Sequence, residues 1–181
     1  MQGERNQCAY TGEKLKMRIG IIGPSKLDYL EEVNQNYKPI LIQLSKIIAK
    51  SGNEIVITPD KGSVSEFFAN QYFQNKGKKI WEIIPMEDKE FGISWVNSKL
   101  GEIISCGTWR NQPEKFNEET DILLCIGYAV GGLFEIGYSK WFKPKPVYII
   151  KELITGELPP EINKSLDLKY VSVNDFEEEL K

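Results

Sequence analysis

The sequence predicts a single α/β domain, a doubly wound, mostly parallel sheet flanked by helices. Three observations lead to this fold class. Short runs that are apolar throughout recur along the chain, which is typical of parallel strands buried on both faces. Segments with helical spacing of apolar residues separate these runs, and turns rich in Gly or Pro end most of them. The length of 181 residues fits one domain of this kind.

The chain divides into a polar N-terminal extension and one domain. Residues 1–16 lack apolar periodicity, so we expect the domain at 17–181 to fold without them. Strands are predicted where apolar runs are bounded by turn residues, and residues 86–118 show no regular pattern. The predicted strands are 17–23, 54–58, 79–85, 121–127, 146–150 and 169–173.

Four helices are predicted between or after these strands. The first spans 37–50, and the second begins at Ser63, where Ser63 and Glu66 have the spacing of a capping box. A third opens at 130–132, and Asn174 is expected to cap the last. The residues expected to form the buried side of the second helix are Phe67, Phe68, Tyr72 and Phe73.

Composition excludes several classes of function. The chain has no histidine, which excludes Ser-His-Asp catalysis and His-rich metal sites. A net charge of −3 without a basic block argues against long nucleic acids as partners. No apolar stretch approaches the roughly 20 residues of a membrane span. Three widely spaced cysteines predict a reducing, cytoplasmic location and no metal site, and Cys125 within an apolar run is expected in the core.

Three loops at the carboxyl ends of predicted strands are candidate ligand sites, because open parallel sheets bind ligands at that edge. Two of the loops run into helix starts, whose free N–H groups favour anions such as phosphate. Turn formation alone also explains the residue types. Neither a dinucleotide fingerprint nor a P-loop is present, so no cofactor is expected. The candidate phosphate-binding residues are Gly23, Pro24 and Ser25; Lys61, Gly62 and Ser63; and Gly127, Tyr128, Gly131 and Gly132.

One combination of motifs resembles a known family. Arg110-Asn111 is followed by Asp121 at a strand start, and then by Gly131-Gly132 and Glu135 at a helix start. This order is similar to that of the SLOG superfamily of Rossmann-like proteins. The superfamily includes the Lonely Guy phosphoribohydrolases, the lysine decarboxylase-like proteins and the molybdenum-cofactor carriers. The resemblance covers roughly residues 17–181.

The resemblance implies roles for individual residues. Arg110 would bind a phosphate or ribose, although a surface ion pair explains it equally simply. Glu135 would act as acid/base or stabilise an oxocarbenium ion, although a carboxylate near a helix N-terminus also needs no function. Asp60 is a candidate second carboxylate. The chain departs from the family at Tyr128 and Ala129, where the family has two glycines, and in the second loop, where it lacks the family's glycine cluster.

Three functions therefore remain open. The first is a sensor or carrier that binds a nucleotide or another phosphate-bearing ligand. The second is a nucleoside 5′-monophosphate phosphoribohydrolase that uses Arg110 and Glu135. The third is a structural subunit whose pocket Tyr128 fills. The resemblance also implies a homodimer or higher homo-oligomer. The aromatic-rich helix at 64–73 is expected to supply part of the contact surface. The tryptophans are expected in the core or at an interface, at Trp81, Trp95, Trp109 and Trp141.

Overall fold

The computed structural model describes residues 16–142 and 144–181, which form one seven-stranded sheet with helices on both faces. Every strand pair in this sheet is parallel. The strands are β1 (Arg18–Ile22), β2 (Glu54–Ile57), β3 (Ile80–Ile84), β4 (Glu102–Ser105), β5 (Ile122–Cys125), β6 (Val147–Ile150) and β7 (Leu168–Val171). The α-helices are α1 (Tyr37–Ser51), α2 (Val64–Gln74), α3 (Gln112–Glu118), α4 (Val130–Tyr138), α5 (Pro160–Asn163) and α6 (Val173–Glu179).

The order of the strands reverses once, between β1 and β5. The sheet reads β4-β3-β2-β1-β5-β6-β7, so the chain builds outward from β1 in one direction and then in the other. Ile19 pairs with Ile122 and Ile22 pairs with Cys125, which brings the carboxyl ends of β1 and β5 side by side. A doubly wound sheet leaves a crevice at such a point, because the helices that follow the two strands lie on opposite faces. The predicted fold class is confirmed.

Alternating residues of the strands supply two cores, one on each face of the sheet. Helices α1, α2 and α6 cover one face, where Phe68 and Phe176 are fully buried. Helices α3 and α4 cover the other face, with Phe116 against the sheet. Gly20 lets α3 approach β1 closely, because a Cβ at this position would lie 2.7 Å from Phe116. Cys125 is fully buried in this second core, as the sequence predicts.

Several sequence-based expectations about local structure are wrong. The short edge strand β4 lies within the segment that shows no regular sequence pattern, and Ser172 rather than Asn174 caps α6. The side chain of Phe73 is 72% exposed, because it lies on the outer side of α2. Trp141 is 76% exposed, which excludes the core and leaves the alternative that it lies at an interface.

Two other expectations concern the membrane and the N-terminal extension. Among the residues described, no helix has the length and apolar character needed to cross a bilayer. Residues 1–15 lie outside the described part of the chain, so whether the domain folds without residues 1–16 stays a prediction.

Candidate functional site

A cavity of about 590 Å³ lies where the order of the strands reverses, at the carboxyl ends of β1, β2 and β5. This volume is within the range of small-molecule sites. Its walls come from all three loops proposed from the sequence and from the start of α3. The residues that line it are Ile21, Gly23, Pro24, Ser25, Tyr29, Thr58, Asp60, Ser63, Ser65, Trp109, Gln112, Pro113, Tyr128–Gly132, Phe134 and Glu135.

The N-terminus of α4 forms one wall of the cavity and is left without a cap. Ala129 occupies the N-cap position and has no polar side chain to accept a hydrogen bond. Within residues 16–142 and 144–181, the first-turn N–H groups of Val130, Gly131 and Gly132 have no acceptor. Free N–H groups and the helix dipole together favour an anion at this position.

The two glycines of this turn have different roles. A Cβ on Gly131 would meet no atom within 4 Å, so this position borders open space. A Cβ on Gly132 would lie 2.5 Å from Cγ2 of Ile22, so Gly132 lets α4 pack closely on β1. Gly131 is therefore the position where the absence of a side chain keeps the backbone accessible to a ligand.

The first loop forms the facing wall. Gly23, Pro24 and Ser25 all line the cavity, as expected from the sequence. Gly127 does not line it. Its φ of +128° is a conformation that other residues rarely adopt, and a Cβ there would lie 2.8 Å from Leu30 and 2.9 Å from Pro24. The structure thus gives Gly127 a role in joining the first and third loops.

Most donor groups of the second loop bind within the chain. The amino group of Lys61 donates to the carbonyl of Ser94 over 2.6 Å, and the N–H of Gly62 donates to Glu66 over 2.6 Å. The hydroxyl of Ser63 accepts from the N–H of Glu66 and caps α2. Ser63 lines the cavity, whereas Lys61 and Gly62 do not. The predicted capping box is present in part, because Glu66 binds Gly62 instead of the N–H of Ser63.

A buried polar network connects β2, α3 and α4 across the base of the cavity. The side-chain amide of Gln112 donates to the hydroxyl of Thr58 and to Oε1 of Glu135, each over 2.7 Å. Asn117 donates to the backbone carbonyl of Glu135 over 2.8 Å. Glu135 is only 8% exposed, so these bonds fix its carboxyl group inside the cavity wall.

Two carboxyl groups of the cavity hold protons more tightly than usual. The pKa of Glu135 is raised to about 7, because burial and, to a smaller extent, the charge of Asp60 outweigh the lowering effect of the hydrogen bond from Gln112. Burial also raises the pKa of Asp60 to about 6. Both carboxyl groups therefore keep protons at pH values at which an ordinary carboxyl group is ionised.

Tyr128 and Arg110 are placed differently with respect to the cavity. Tyr128 lines it, and its hydroxyl is buried without a hydrogen-bond partner in the described part of the chain. Burial raises the pKa of Tyr128, and the neighbouring Tyr170 raises it as well. Arg110 does not line the cavity. Its guanidinium is 73% exposed and donates to Glu90 over 2.7 Å, which is the surface ion pair considered as its alternative role.

Trp109, Thr58 and Gln112 belong to the cavity but are not among the ligand-binding residues predicted from the sequence. Trp109 lines the cavity and stacks on Trp95, with ring centroids 5.7 Å apart. Thr58 and Gln112 join the network described above. Thr58 directly follows β2, so its position at a strand end could have indicated a site residue. Gln112 lies 54 residues from Thr58, and nothing in the sequence indicates that the two side chains meet. No group of three or more metal-ligating side chains is found among the residues described.

A second cavity of about 900 Å³ lies at the opposite edge of the sheet, near the amino ends of β5 and β6. Lys145 lines it and donates to the carbonyl of Asn117 and to the hydroxyl of Thr120. Burial lowers the pKa of Lys145 to about 8. Because these bonds satisfy acceptors at the end of α3, Lys145 has a structural role, and the first cavity remains the candidate site.

Solved structures with the same fold include proteins that bind molybdenum cofactor. The molybdenum cofactor binding protein from Rippkaea orientalis has a TM-score of 0.70 and 18% identity, covering 93% of this chain and 97% of that chain. The Moco carrier protein from Chlamydomonas reinhardtii has a TM-score of 0.66 and 18% identity, covering 92% and 98%. DNA processing protein A from Streptococcus pneumoniae has a TM-score of 0.58 and 12% identity, covering 92% and 62%. No protein-family model and no curated protein matches the sequence.

Proposed function

We propose that this chain, whose fold is the Rossmann-like fold of the SLOG superfamily, is a carrier or sensor that binds a small phosphate-bearing ligand, such as a nucleotide. The observation that carries the proposal is the uncapped N-terminus of α4, which opens into the cavity where the order of the strands reverses. Both features are typical of phosphate sites in doubly wound sheets.

Neutral donors would provide most of the binding to the phosphate. No Lys or Arg lines the cavity in the described part of the chain, so the N–H groups of 130–132 and hydroxyl groups such as that of Ser25 are the donors available. Arg110 follows Trp109 of the cavity wall directly. Its exposed pair with Glu90 contributes at most about 1 kcal/mol, so exchanging this partner for a ligand phosphate costs little.

The structural neighbours support the carrier function. Two of them are named for molybdenum cofactor, and this chain is similar to them over nearly their whole length. Their ligand is therefore one candidate for the cargo of this protein. The cavity of about 590 Å³ also argues against a structural subunit with a filled pocket, because Tyr128 forms part of the wall and leaves this volume open.

A second candidate function is nucleoside 5′-monophosphate phosphoribohydrolase. Glu135 is buried in the cavity with a pKa raised to about 7, and Asp60 is a second carboxyl group in the same cavity. A pair of carboxyl groups with different protonation states is the usual requirement for cleaving a glycosidic bond. In this function Glu135 would stabilise the oxocarbenium ion or protonate the departing base, and Arg110 would bind the phosphate.

Thermal unfolding with and without ligand tests the proposal. A ligand at 100 times its Kd adds about 2.7 kcal/mol to the free energy of unfolding. We expect such a shift with nucleoside 5′-monophosphates and a smaller one with orthophosphate. Incubation with the same nucleotides, followed by analysis for free base, separates the two functions: a carrier leaves them intact, and a phosphoribohydrolase releases the base. Absence of any shift with all phosphate-bearing compounds would exclude both.

Self-association is a further part of the proposal. Phe73 of α2 is exposed, so this helix can contribute one apolar side chain to a twofold contact. Light scattering at tens of micromolar protein should give a dimer mass or higher, and a monomer mass would contradict it.

A further inference from the structure

The unpaired backbone donors and the unpaired carboxyl oxygens of the cavity lie in different places. Donors lie on the wall made by the start of α4, where the N–H groups of 130–132 have no acceptor in the described residues. Acceptors without donors lie at the base. Oδ1 of Asp60 is buried without a hydrogen-bond partner, and Oε2 of Glu135 has none among the described residues, since Gln112 binds only Oε1.

The unpaired acceptor of Asp60 is costly to the protein, whereas Oε2 of Glu135 is not fully buried. A buried polar atom without a partner costs about 1–3 kcal/mol, and a charged one costs more. Glu135 is 92% buried, because only 8% of its surface is exposed, and the described residues place no Lys or Arg in the cavity to neutralise it. A ligand that brings donors to this position would remove the cost, whereas a ligand that brings acceptors would increase it.

We propose that the ligand carries adjacent N–H donors at the end opposite its phosphate, as on the amino-substituted edge of a guanine-type ring, and that Asp60 and Glu135 bind this edge. The inference rests on the proposed function, because it assumes that the phosphate lies at the start of α4. It assigns Asp60 and Glu135 to recognition of the ligand.

Two features of the site fit a planar, donor-bearing ring. Gln112 holds Glu135 through Oε1, which fixes the direction of the carboxyl plane and leaves Oε2 for the ligand. Trp109 lines the same cavity and is held by two hydrogen bonds. Its backbone N–H donates to Asp88, and its ring N–H donates to the carbonyl of Gly92. A rigid aromatic wall beside paired acceptors is an arrangement that can bind both the face and the edge of a heterocycle.

Guanosine and inosine 5′-monophosphate are the matched probes, because they differ only in the 2-amino group. We expect the protein to bind guanosine 5′-monophosphate at least about tenfold more tightly, since a site built for a donor rejects the analogue that lacks it. Asp60→Asn replaces an acceptor oxygen with an amide and should reduce this ratio to near one. Asp167→Asn is the control, because Asp167 is an exposed carboxylate outside this cavity.

Calorimetric titration of the full chain with the two nucleotides and with orthophosphate gives distinguishable outcomes. Equal binding of both nucleotides, or tighter binding of inosine 5′-monophosphate, overturns the inference and leaves the phosphate site intact. The inference is also overturned if the Asp60→Asn variant keeps the same ratio of affinities for guanosine and inosine 5′-monophosphate as the parent. If neither nucleotide nor orthophosphate binds, the proposed function fails together with the inference. Should Asp60→Asn unfold, Glu135→Gln, which keeps an oxygen for Gln112, tests the same ratio.

Discussion

Helices α2 and α4 both begin directly after a loop at the carboxyl edge of the sheet, yet their first turns are used differently. At α2, the hydroxyl of Ser63 caps Glu66, and the carboxylate of Glu66 binds Gly62. At α4, Ala129 provides no cap, and Gly131 faces open space. The chain satisfies the start of one helix itself and leaves the start of the other without an acceptor, and the proposed function assigns this second position to the ligand.

This difference shows that a helix start after a strand is not evidence of an anion site by itself. The sequence motifs of the two loops are equally suggestive, since both contain glycine near a helix start. The capping side chain decides between them, because a satisfied N–H group has no hydrogen left to donate. We therefore assign the phosphate to α4, and four predictions test this assignment.

The largest effect is expected at Gly131. Gly131→Ala places a methyl group in open space, so it should leave stability unchanged or raise it slightly through helix propensity. It should weaken binding of a nucleoside monophosphate about hundredfold, because one or two hydrogen bonds to a charged group are lost. Gly137→Ala is the matched control, since a Cβ there also meets nothing within 4 Å and Gly137 does not line the cavity. Equal affinity of both variants would place the phosphate elsewhere.

The second prediction concerns Glu135 and Asp60, which connect α4 to the second loop. Their pKa values of about 7 and about 6 in the folded protein lie above the value near 4 expected in an unfolded chain. The folded state therefore retains protons that the unfolded state releases, and these two groups lower the free energy of unfolding as pH rises from about 4 to about 7.

Glu135→Gln removes the larger part of this pH dependence. We expect the variant to gain stability relative to the parent between pH 5 and pH 8, by on the order of 1–3 kcal/mol. Urea denaturation at both pH values measures the difference. Glu161→Gln, which changes an exposed carboxylate of α5, should behave like the parent protein. An identical pH profile for parent and Glu135→Gln would show that Glu135 titrates normally.

A smaller effect is expected at the capped helix. Glu66→Ala leaves the N–H of Gly62 and the amide of Asn97 without their acceptor, so it should destabilise the protein by about 1 kcal/mol. The side chain of Glu66 does not line the cavity, so nucleotide affinity should change less than threefold. Melting temperature and calorimetric titration give the two values. A loss of affinity larger than the loss of stability would show that the second loop binds the ligand.

Arg110 should affect nucleotide affinity far less than Gly131 does. Arg110→Ala is expected to weaken nucleotide binding about threefold to tenfold, because the guanidinium must leave Glu90 before it reaches the phosphate. Glu90→Gln releases Arg110 without removing it and should strengthen binding by a similar or smaller factor. Titration of both variants with one nucleotide measures these changes. If neither variant differs from the parent, the ion pair is the whole role of Arg110.

Much of the fold could be predicted from the sequence, because six strands are apolar runs bounded by turns. The predicted Rossmann-like fold is confirmed, and solved structures of 18% identity share it over nearly their whole length. Strand β4 could not be predicted, since it lies at the sheet edge and is mostly exposed, so it lacks the apolar run that marks a buried strand. The capping of α6 by Ser172 was missed because Ser172 and Asn174 are both good N-cap residues and sequence does not fix the register.

The candidate site was predicted less completely than the fold. Loop positions follow from strand ends, which is why Gly23, Ser25 and Gly131 are found at the cavity. The bonds that Lys61 makes to Ser94 and that Gln112 makes to Glu135 depend on the tertiary packing of distant segments. Neither distance along the chain nor residue type indicates such pairs. The roles of Lys61 and Gln112 could therefore be recognised only from the structure.

The stacked indoles of Trp95 and Trp109 have a practical consequence. Trp109 is part of the cavity wall, and Trp95, which stacks on it, is 41% exposed. A ligand ring that binds beside Trp109 should therefore change the fluorescence of these two tryptophans. The remaining tryptophans do not line the cavity, with Trp81 held between Arg18 and Lys79. Intrinsic fluorescence should therefore report directly whether a ligand occupies the cavity. In a Trp109→Phe variant the ligand-induced change should be lost, and the fluorescence of Trp81 and Trp141 should not respond to ligand. The protein would carry its own optical readout for a search among unlabelled compounds.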